Sequence, residues 1–259
     1  MTPTSKKNLF LCILPFFVFC SYKLICSELF YVRSQEEFFQ EKVPLEIVKE
    51  LFSEPLQFLG LGSQCLAFTS PKSPYVCKIC KANRYQLPFF LEKLPLSFIQ
   101  SLAEKKLQKK QQDFLNYNTA YEQLQEETGI IFLHLQKTKN LHTTIRLVDP
   151  LHITHSFQAD NLLFYIQKKA IPLEVYSKQV SQEDLLFFLK MLFNQVHKNR
   201  LKGLWIKDLN KKNIGFCEGK PLWIDPGRLM FDPSPQSKEI IKKNLTTLIE
   251  EFSPSLESN

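Results

Sequence analysis

Two aspartates and an asparagine bracket a short apolar hairpin pattern in "KDLNKKNIGFCEGKPLWIDPG", residues 207–227. Asp208 follows the apolar residues "LWI", Asn213 comes five residues later, and Asp225 ends the next apolar run. Amide and carboxylate oxygens on adjacent strand ends can hold Mg²⁺ against nucleotide phosphates. A carboxylate at the start of the loop can orient a hydroxyl and accept its proton. The pattern predicts Asn213 and Asp225 as metal ligands and Asp208 as a base, whereas Asp-x4-Asn by itself also fits a polar turn.

A glycine pair supplies a second candidate site. The chain has only seven glycines, and two of them, Gly60 and Gly62, precede Ser63 in the strand-like "LGLGSQCLAF". Glycine allows the close backbone approach that phosphate binding needs. We expect these three residues to lie over phosphates, with an ordinary tight turn as the alternative.

Lys78 stands between apolar residues in "YVCKICK". A lysine buried on a strand needs an anionic partner, such as a phosphate or a carboxylate, whereas an exposed edge strand would need none. Glu122 in the helical stretch "TAYEQLQEETG" is the expected carboxylate, with Glu126 as its competitor. Ordinary helical amphipathicity would explain both glutamates without a function.

The elements that would position these residues follow from hydrophobic periodicity and turn signals. We predict strands over Leu56–Phe68 and Tyr75–Lys81, a helical region over residues 85–128 that Gly129 ends, and three further strand-like runs. A long apolar helix then opens with the capping pattern Ser181-x-x-Asp184, followed by the hairpin and a helical tail. Strands first and helices later indicate an α+β fold.

Charge and cysteines narrow the classes of partner. The formal charge of +7 suits an anionic partner, but no basic stripe with interleaved aromatics is present, so nucleic acid is not expected. The seven cysteines show neither a paired framework nor histidines at metal spacing. Free thiols suggest a reducing compartment.

Residues 1–34 are set apart from the folded chain. An uncharged apolar run from Asn8 to Tyr22 follows two lysines and is shorter than the about 20 residues that usually span a bilayer. A membrane anchor is expected, with an export signal or a buried helix as alternatives. An anchor would leave the domain membrane-associated in the cytosol, and a signal would make it exported.

Taken in order, "GLG", "VCK", "KDLNKKN" and "IDPG" resemble the motifs of the protein-kinase-like fold. The resemblance implies that Asp208 is the catalytic base, that Asn213 and Asp225 bind the metal, and that Lys78 anchors phosphates. It also implies ATP and Mg²⁺ as cofactors.

The same resemblance implies a bilobal α+β architecture. An antiparallel-sheet N-lobe would cover residues 35–170 and a short, mostly helical C-lobe residues 171–259. Gly60, Gly62 and Ser63 would lie over the nucleotide, and Gln167 and Lys168 would begin the interlobe hinge.

Several positions depart from the family pattern. Cys65 replaces the third loop glycine, Pro226 the middle of Asp-Phe-Gly, and Asn210 a frequent lysine. Three nearby lysines could take the role of the lysine that Asn210 replaces: Lys207, Lys211 and Lys212.

Relative to the family pattern, the segment after Gly227 is expected to be too short for the helices that bind a protein substrate, and in this it is similar to bacterial kinases of lipopolysaccharide-core sugars. The implied activity is phosphotransfer to a hydroxyl of a small molecule, sugar or glycolipid. The alternatives are a pseudokinase or nucleotide-binding interaction module, a protein Ser/Thr kinase, and a basic nucleic-acid or membrane-surface binder.

Overall fold

A computed structural model of the chain describes residues 45–87 and 97–252. The apolar segment 1–34 lies outside this part, so the expectation of an anchor or signal is not addressed. Within the described ranges, no helix is both long and apolar enough to cross a membrane.

Seven strands form one twisted sheet, which we call the N-lobe sheet. Their order across the sheet is β4-β7-β3-β2-β1-β5-β6. Neighbours are antiparallel except β1 and β5, which pair in parallel. The strands are β1 (Leu56–Leu61), β2 (Cys65–Thr69), β3 (Tyr75–Cys80), β4 (Ile130–His134), β5 (Thr144–Val148), β6 (Thr154–Gln158) and β7 (Phe164–Lys168).

Within residues 45–87 and 97–168, four α-helices accompany this sheet. They are α1 (Leu45–Phe52), α2 (Ala82–Tyr85), α3 (Ser97–Gln123) and α4 (Gln125–Thr128). Helix α1 covers the outer face of the sheet, where Phe52 meets Phe164 edge to face at 5.5 Å. Burying one aromatic side chain of this kind contributes about 1.5–3 kcal/mol.

The C-lobe is smaller and consists of helices with short strands. Its elements are β8 (Ile171–Pro172), α5 (Leu173–Tyr176), α6 (Gln182–Leu201), β9 (Leu204–Ile206), β10 (Ile214–Cys217), β11 (Lys220–Trp223), β12 (Leu229–Phe231) and α7 (Pro235–Phe252). Strands β11, β10 and β8 form one sheet, and β12 pairs with β9. One hydrophobic core lies between α1 and the outer face of the N-lobe sheet. A second core joins α3, the inner face of that sheet, α6 and α7.

Local signals in the sequence explain several boundaries. Ser181 accepts a hydrogen bond from the Asp184 amide and so begins α6 as predicted. Gly129 ends α4 in the left-handed conformation, with φ of 63°.

The expected strand over Leu56–Phe68 is wrong in its extent. It is instead the hairpin of β1 and β2, because the chain turns where the Gly62 amide donates to the Cys65 carbonyl at 2.9 Å. The predicted α+β, two-lobed architecture is confirmed.

Candidate active site

Lys78 lies on the face of the N-lobe sheet that looks toward the C-lobe. Direct cross-strand partners join Gly60 to Ala67, Ala67 to Lys78, and Lys78 to Tyr165. Directly opposite residues point to the same face, and Tyr165 belongs to the core shared with the C-lobe. This row therefore lies on the face of the N-lobe sheet that packs toward the C-lobe.

The Lys78 side chain is 9% exposed. Its ammonium donates to the Ile224 carbonyl and lies 5.6 Å from the Tyr165 ring centroid. Burial lowers the pKa of Lys78, and the negative charge of Asp225 acts in the opposite direction. No described carboxylate forms a salt bridge with this lysine, and its amine is held next to Ile224, the residue preceding Asp225.

The β10–β11 hairpin brings Asn213 and Asp225 to one end. Ile214 pairs with Trp223, and beyond this pair the Ile224 amide donates to the Asn213 carbonyl at 2.7 Å. Asn213 ends the loop before β10, and Asp225 follows β11 two residues after Trp223. The register thus places Asn213 opposite Ile224, the residue that precedes Asp225.

Asp208 lies near the start of the loop between β9 and β10, and two asparagines hold this loop by hydrogen bonds. Asn213 Nδ2 donates to the Asp208 carbonyl at 3.2 Å. Asn210 Oδ1 accepts from the amides of Lys212 and Asn213 at 3.0 and 3.1 Å. These bonds fix the Asp208 backbone relative to the metal-ligand candidate, so the five-residue spacing has a structural basis.

The Asp208 carboxylate faces a cation that the sequence analysis missed. Arg228 Nη1 lies 3.1 Å from Asp208 Oδ2, and the two side chains are 42% and 37% exposed. Lys211, one of the lysines proposed to replace the missing loop lysine, instead pairs with Glu251 on α7. Arg228 is therefore the charged side chain paired with the predicted base. Its signal in the sequence was a basic residue directly after "DPG".

A buried polar cluster, also missed from sequence, holds the segment that carries Asp225. The Gly227 carbonyl accepts from Gln64 Nε2 at 3.1 Å and from Asn116 Nδ2 at 3.0 Å. Gln64 Oε1 in turn accepts from the Tyr117 hydroxyl at 2.6 Å. The turn of the β1–β2 hairpin and helix α3 therefore both hold this segment by hydrogen bonds. The signal in the sequence was the polar "NYN", residues 116–118, in the last third of α3.

The expectation for Glu122 is corrected by the structure. Glu122 is exposed, and its carboxylate accepts from Asn118 at 2.8 Å. The buried side chains of α3 near the cleft recur three or four residues apart and include Asn116, Tyr117 and Ala120. Glu122 is off that stripe and is not brought to Lys78, and its competitor Glu126 is exposed as well.

Gln167 and Lys168 lie where the chain passes between the lobes, but their side chains are already engaged. The Gln167 amide is 2% exposed and donates to the Thr128 and Trp223 carbonyls at 2.5 and 2.9 Å. Lys168 Nζ forms a 2.6 Å ion pair with Glu218 in the β10–β11 turn. These side chains fasten the two lobes together rather than offering polar groups to a nucleotide.

The glycine pair lies at the end of β1 and in the turn that follows it. A Cβ atom added at Gly60 would meet no atom within 4 Å other than its chain neighbours, and Ser63 is exposed in the turn. Lys81 donates to the Gly62 carbonyl, and its own amide donates to the Gln64 carbonyl at 3.0 Å. The hairpin turn is thus tied to the end of β3, close to Lys78.

These features define the fold of the chain. A lysine on the third strand, a long helix after that strand, and a loop–hairpin–aspartate unit whose Ile224 carbonyl accepts from that lysine are the arrangement of the protein-kinase-like fold. The resemblance inferred from the motifs is confirmed at the level of the fold.

Among solved structures, those similar to this chain include a 2.2 Å structure of WbdD, with a TM-score of 0.43 and 14% identity. A structure of the bifunctional kinase-methyltransferase WbdD gives 0.41 and 14%, and a complex of WbdD with the kinase inhibitor LY294002 gives 0.41 and 13%. The matches cover 75%, 73% and 75% of this chain but 37%, 34% and 37% of those chains. No protein-family model and no curated protein matches the sequence.

Proposed function

We propose that the chain is an ATP- and Mg²⁺-dependent phosphotransferase that acts on a hydroxyl of a small molecule, sugar or lipid-linked glycan. The proposal is supported by the hydrogen bond of Lys78 to the carbonyl of Ile224, the residue before Asp225, and by the bond from Asn213 to the Asp208 backbone. Phosphoryl transfer depends on positioning and on charge stabilisation, which is what such a set provides.

The oxygen atoms at this site fit a magnesium ion. Asn213 donates through Nδ2, and its Oδ1 accepts no hydrogen bond from a described residue. Asp225 uses Oδ1 to accept from the Gly227 amide at 3.2 Å, which leaves Oδ2 in the same condition. One amide oxygen and one carboxylate oxygen, completed by phosphate oxygens and water, suit Mg²⁺. The bound ion would neutralise charge on the transferred phosphoryl group.

Lys78 and Asp208 would have the two remaining roles, which are phosphate binding and orientation of the acceptor. The Lys78 ammonium is buried beside Asp225 and would pair with nucleotide phosphates in place of the Ile224 carbonyl. Asp208, which is partly exposed, would orient the acceptor hydroxyl and take its proton. The backbone near Gly60 and Gly62 would cover the phosphates from above.

A nucleotide-binding pseudokinase is the second candidate, and two contacts favour it. Lys78 has no glutamate partner on α3 in the described structure, and Asp208 is occupied by Arg228. A chain of this kind would bind ATP but transfer no phosphate.

The test combines binding and turnover on the full-length chain. ATP with Mg²⁺ should raise the melting temperature of the wild type, and Asp225→Asn should abolish that shift. Asp208→Asn should keep the shift but lose ATP turnover. Glu239→Gln is the control, because this exposed carboxylate on α7 pairs with Lys242 far along the chain from the site. No shift in the wild type would refute nucleotide binding, and a shift without turnover would favour the pseudokinase.

We further propose that residues 1–34 keep the domain at a membrane, on the cytosolic side where ATP is available. The support is the apolar run of that segment in the sequence. Membrane fractionation of the full-length chain, compared with a chain that begins at residue 35, tests this directly.

A further inference from the structure

A cleft of about 680 Å³ opens between helix α3 and the chain that follows Gly227. Its volume is within the range of small-molecule sites, about 300–1,000 Å³. Four cationic residues line it: Arg84, Lys109, Lys207 and Arg228. Asp113 is the acidic residue among its described lining residues.

The charges in this cleft do not cancel. Asp113 is 5% exposed and is neutralised by Arg84, whose Nε lies 2.6 Å from Asp113 Oδ2. Burial disfavours the charged guanidinium, but the hydrogen bond and the charge of Asp113 prevail and raise the pKa of Arg84. Neither Lys109 nor Lys207 has a salt bridge to a described carboxylate. The cleft therefore carries excess positive charge, which attracts anions.

The excess charge reaches the predicted base. Arg228 lines the cleft and also lies 3.1 Å from Asp208 Oδ2. The Lys207 amide donates to the Arg228 carbonyl at 3.1 Å, which fixes the two cationic residues side by side. An anion bound by Lys207 and Arg228 would therefore lie close to Asp208.

The cleft also offers apolar surface. Leu115 on α3 and Phe231 on β12 line it and remain 52% and 46% exposed. A ligand with an anionic group and a less polar body, such as a sugar ring, would satisfy both parts of this surface.

We propose that this cleft binds the acceptor, and that the acceptor is a hydroxyl compound that carries a phosphate or carboxylate group of its own. The inference rests on the proposed phosphotransferase function and narrows its substrate class. Lys109, Lys207 and Arg228 hold the acceptor's anionic group. The hydroxyl oxygen forms a bond to the γ-phosphorus of ATP, the bond from that phosphorus to ADP breaks, and the hydroxyl proton passes to Asp208.

The experiment measures binding of three matched probes to the full-length chain: glucose 6-phosphate, glucuronic acid and uncharged glucose. Each is titrated at fixed ionic strength, with and without a saturating non-hydrolysable ATP analogue and Mg²⁺. The charged sugars should bind at least tenfold more tightly than glucose, and the nucleotide should not displace them.

Lys109→Glu tests the location of the site. It should weaken binding of the charged sugars by about tenfold, because it reverses one of three contributing charges. Lys105→Glu is the matched control, since it makes the same charge change on an exposed residue of the same helix outside the cleft lining.

The outcomes separate this inference from the proposed function. Equal binding of charged and uncharged sugars, or equal effects of the two charge reversals, would overturn the acceptor site even in a chain that binds and turns over ATP. Displacement of the charged sugars by the nucleotide would also overturn it, because the cations would then serve ATP. Binding of the charged sugars by a chain that does not bind ATP would support the anion site and refute the phosphotransferase.

Discussion

Gly227 lies directly against the buried side chain of Gln64, and one added methyl group there tests the polar cluster that positions Asp225. A Cβ atom at this position would lie 1.7 Å from Gln64 Oε1 and 2.7 Å from Nε2. Gly227 is not among the glycines with positive φ. The backbone therefore accepts alanine, and the whole cost of Gly227→Ala comes from displacing Gln64.

The cost can be worked out from the bonds of Gln64. Its side chain donates to the Gly227 carbonyl and to Asp113 Oδ1, and it accepts from the Tyr117 hydroxyl. Each bond contributes about 0.5–1.5 kcal/mol, and partners left buried without a bond cost more. Gly227→Ala should therefore destabilise the fold by about 2–4 kcal/mol, a fall of about 4–16 °C in melting temperature for a chain of this size.

Thermal unfolding of the full-length chain measures this. Gly60→Ala is the matched control, since no atom lies within 4 Å of a Cβ there; it should change stability by less than about 0.5 kcal/mol. In the double variant Gln64→Ala with Gly227→Ala the clash is gone, so the second substitution should add little to the first. Equal melting temperatures for Gly227→Ala and Gly60→Ala would refute the reasoning.

Two further outcomes are expected. Lys78→Met should change the free energy of unfolding by less than about 1 kcal/mol, because relief of the buried charge offsets the bond lost to the Ile224 carbonyl. It should nevertheless weaken ATP binding about tenfold or more, as measured by calorimetric titration. An unchanged ATP affinity would show that the role of Lys78 is only structural. Burial would raise the pKa of Asp160, but hydrogen bonds from Thr138 and from the amides of residues 140–142 prevail and lower it. The stabilisation by Asp160 is thus present above its unfolded pKa of about 3.9 and is lost as pH falls through the lower folded value. Asp160→Asn should flatten the fall in melting temperature below about pH 4, and an unchanged acid limb would contradict the assignment.

Local signals were sufficient for the elements that short-range chemistry controls. The cap at Ser181, the helix stop at Gly129 and the hairpin ending at Asp225 all depend on residues within a few positions of one another. The order of the motifs was sufficient to predict the fold, because that order fixes which strand carries the lysine.

The partners of α3 could not be chosen in this way. The helix carries several polar residues, and from the sequence they can be ranked only by residue type. That ranking favoured Glu122, because a carboxylate can pair with a lysine. The folded chain instead turns Asn116 inward, since the rotation of a helix is set by what its apolar stripe packs against.

The sequence by itself determined the α+β order of elements, the Asp208–Asn213 spacing and the hairpin that places Asp225 near Asn213, because each lies in one continuous segment. Only the tertiary structure decided which side chains meet across the cleft: Gln64 on Gly227, Lys78 on the Ile224 carbonyl and Arg228 on Asp208. The first two contacts join segments more than one hundred residues apart, and the third joins two loops held together by the β9–β12 pairing. Contacts of this kind depend on how whole elements pack, which no local pattern specifies.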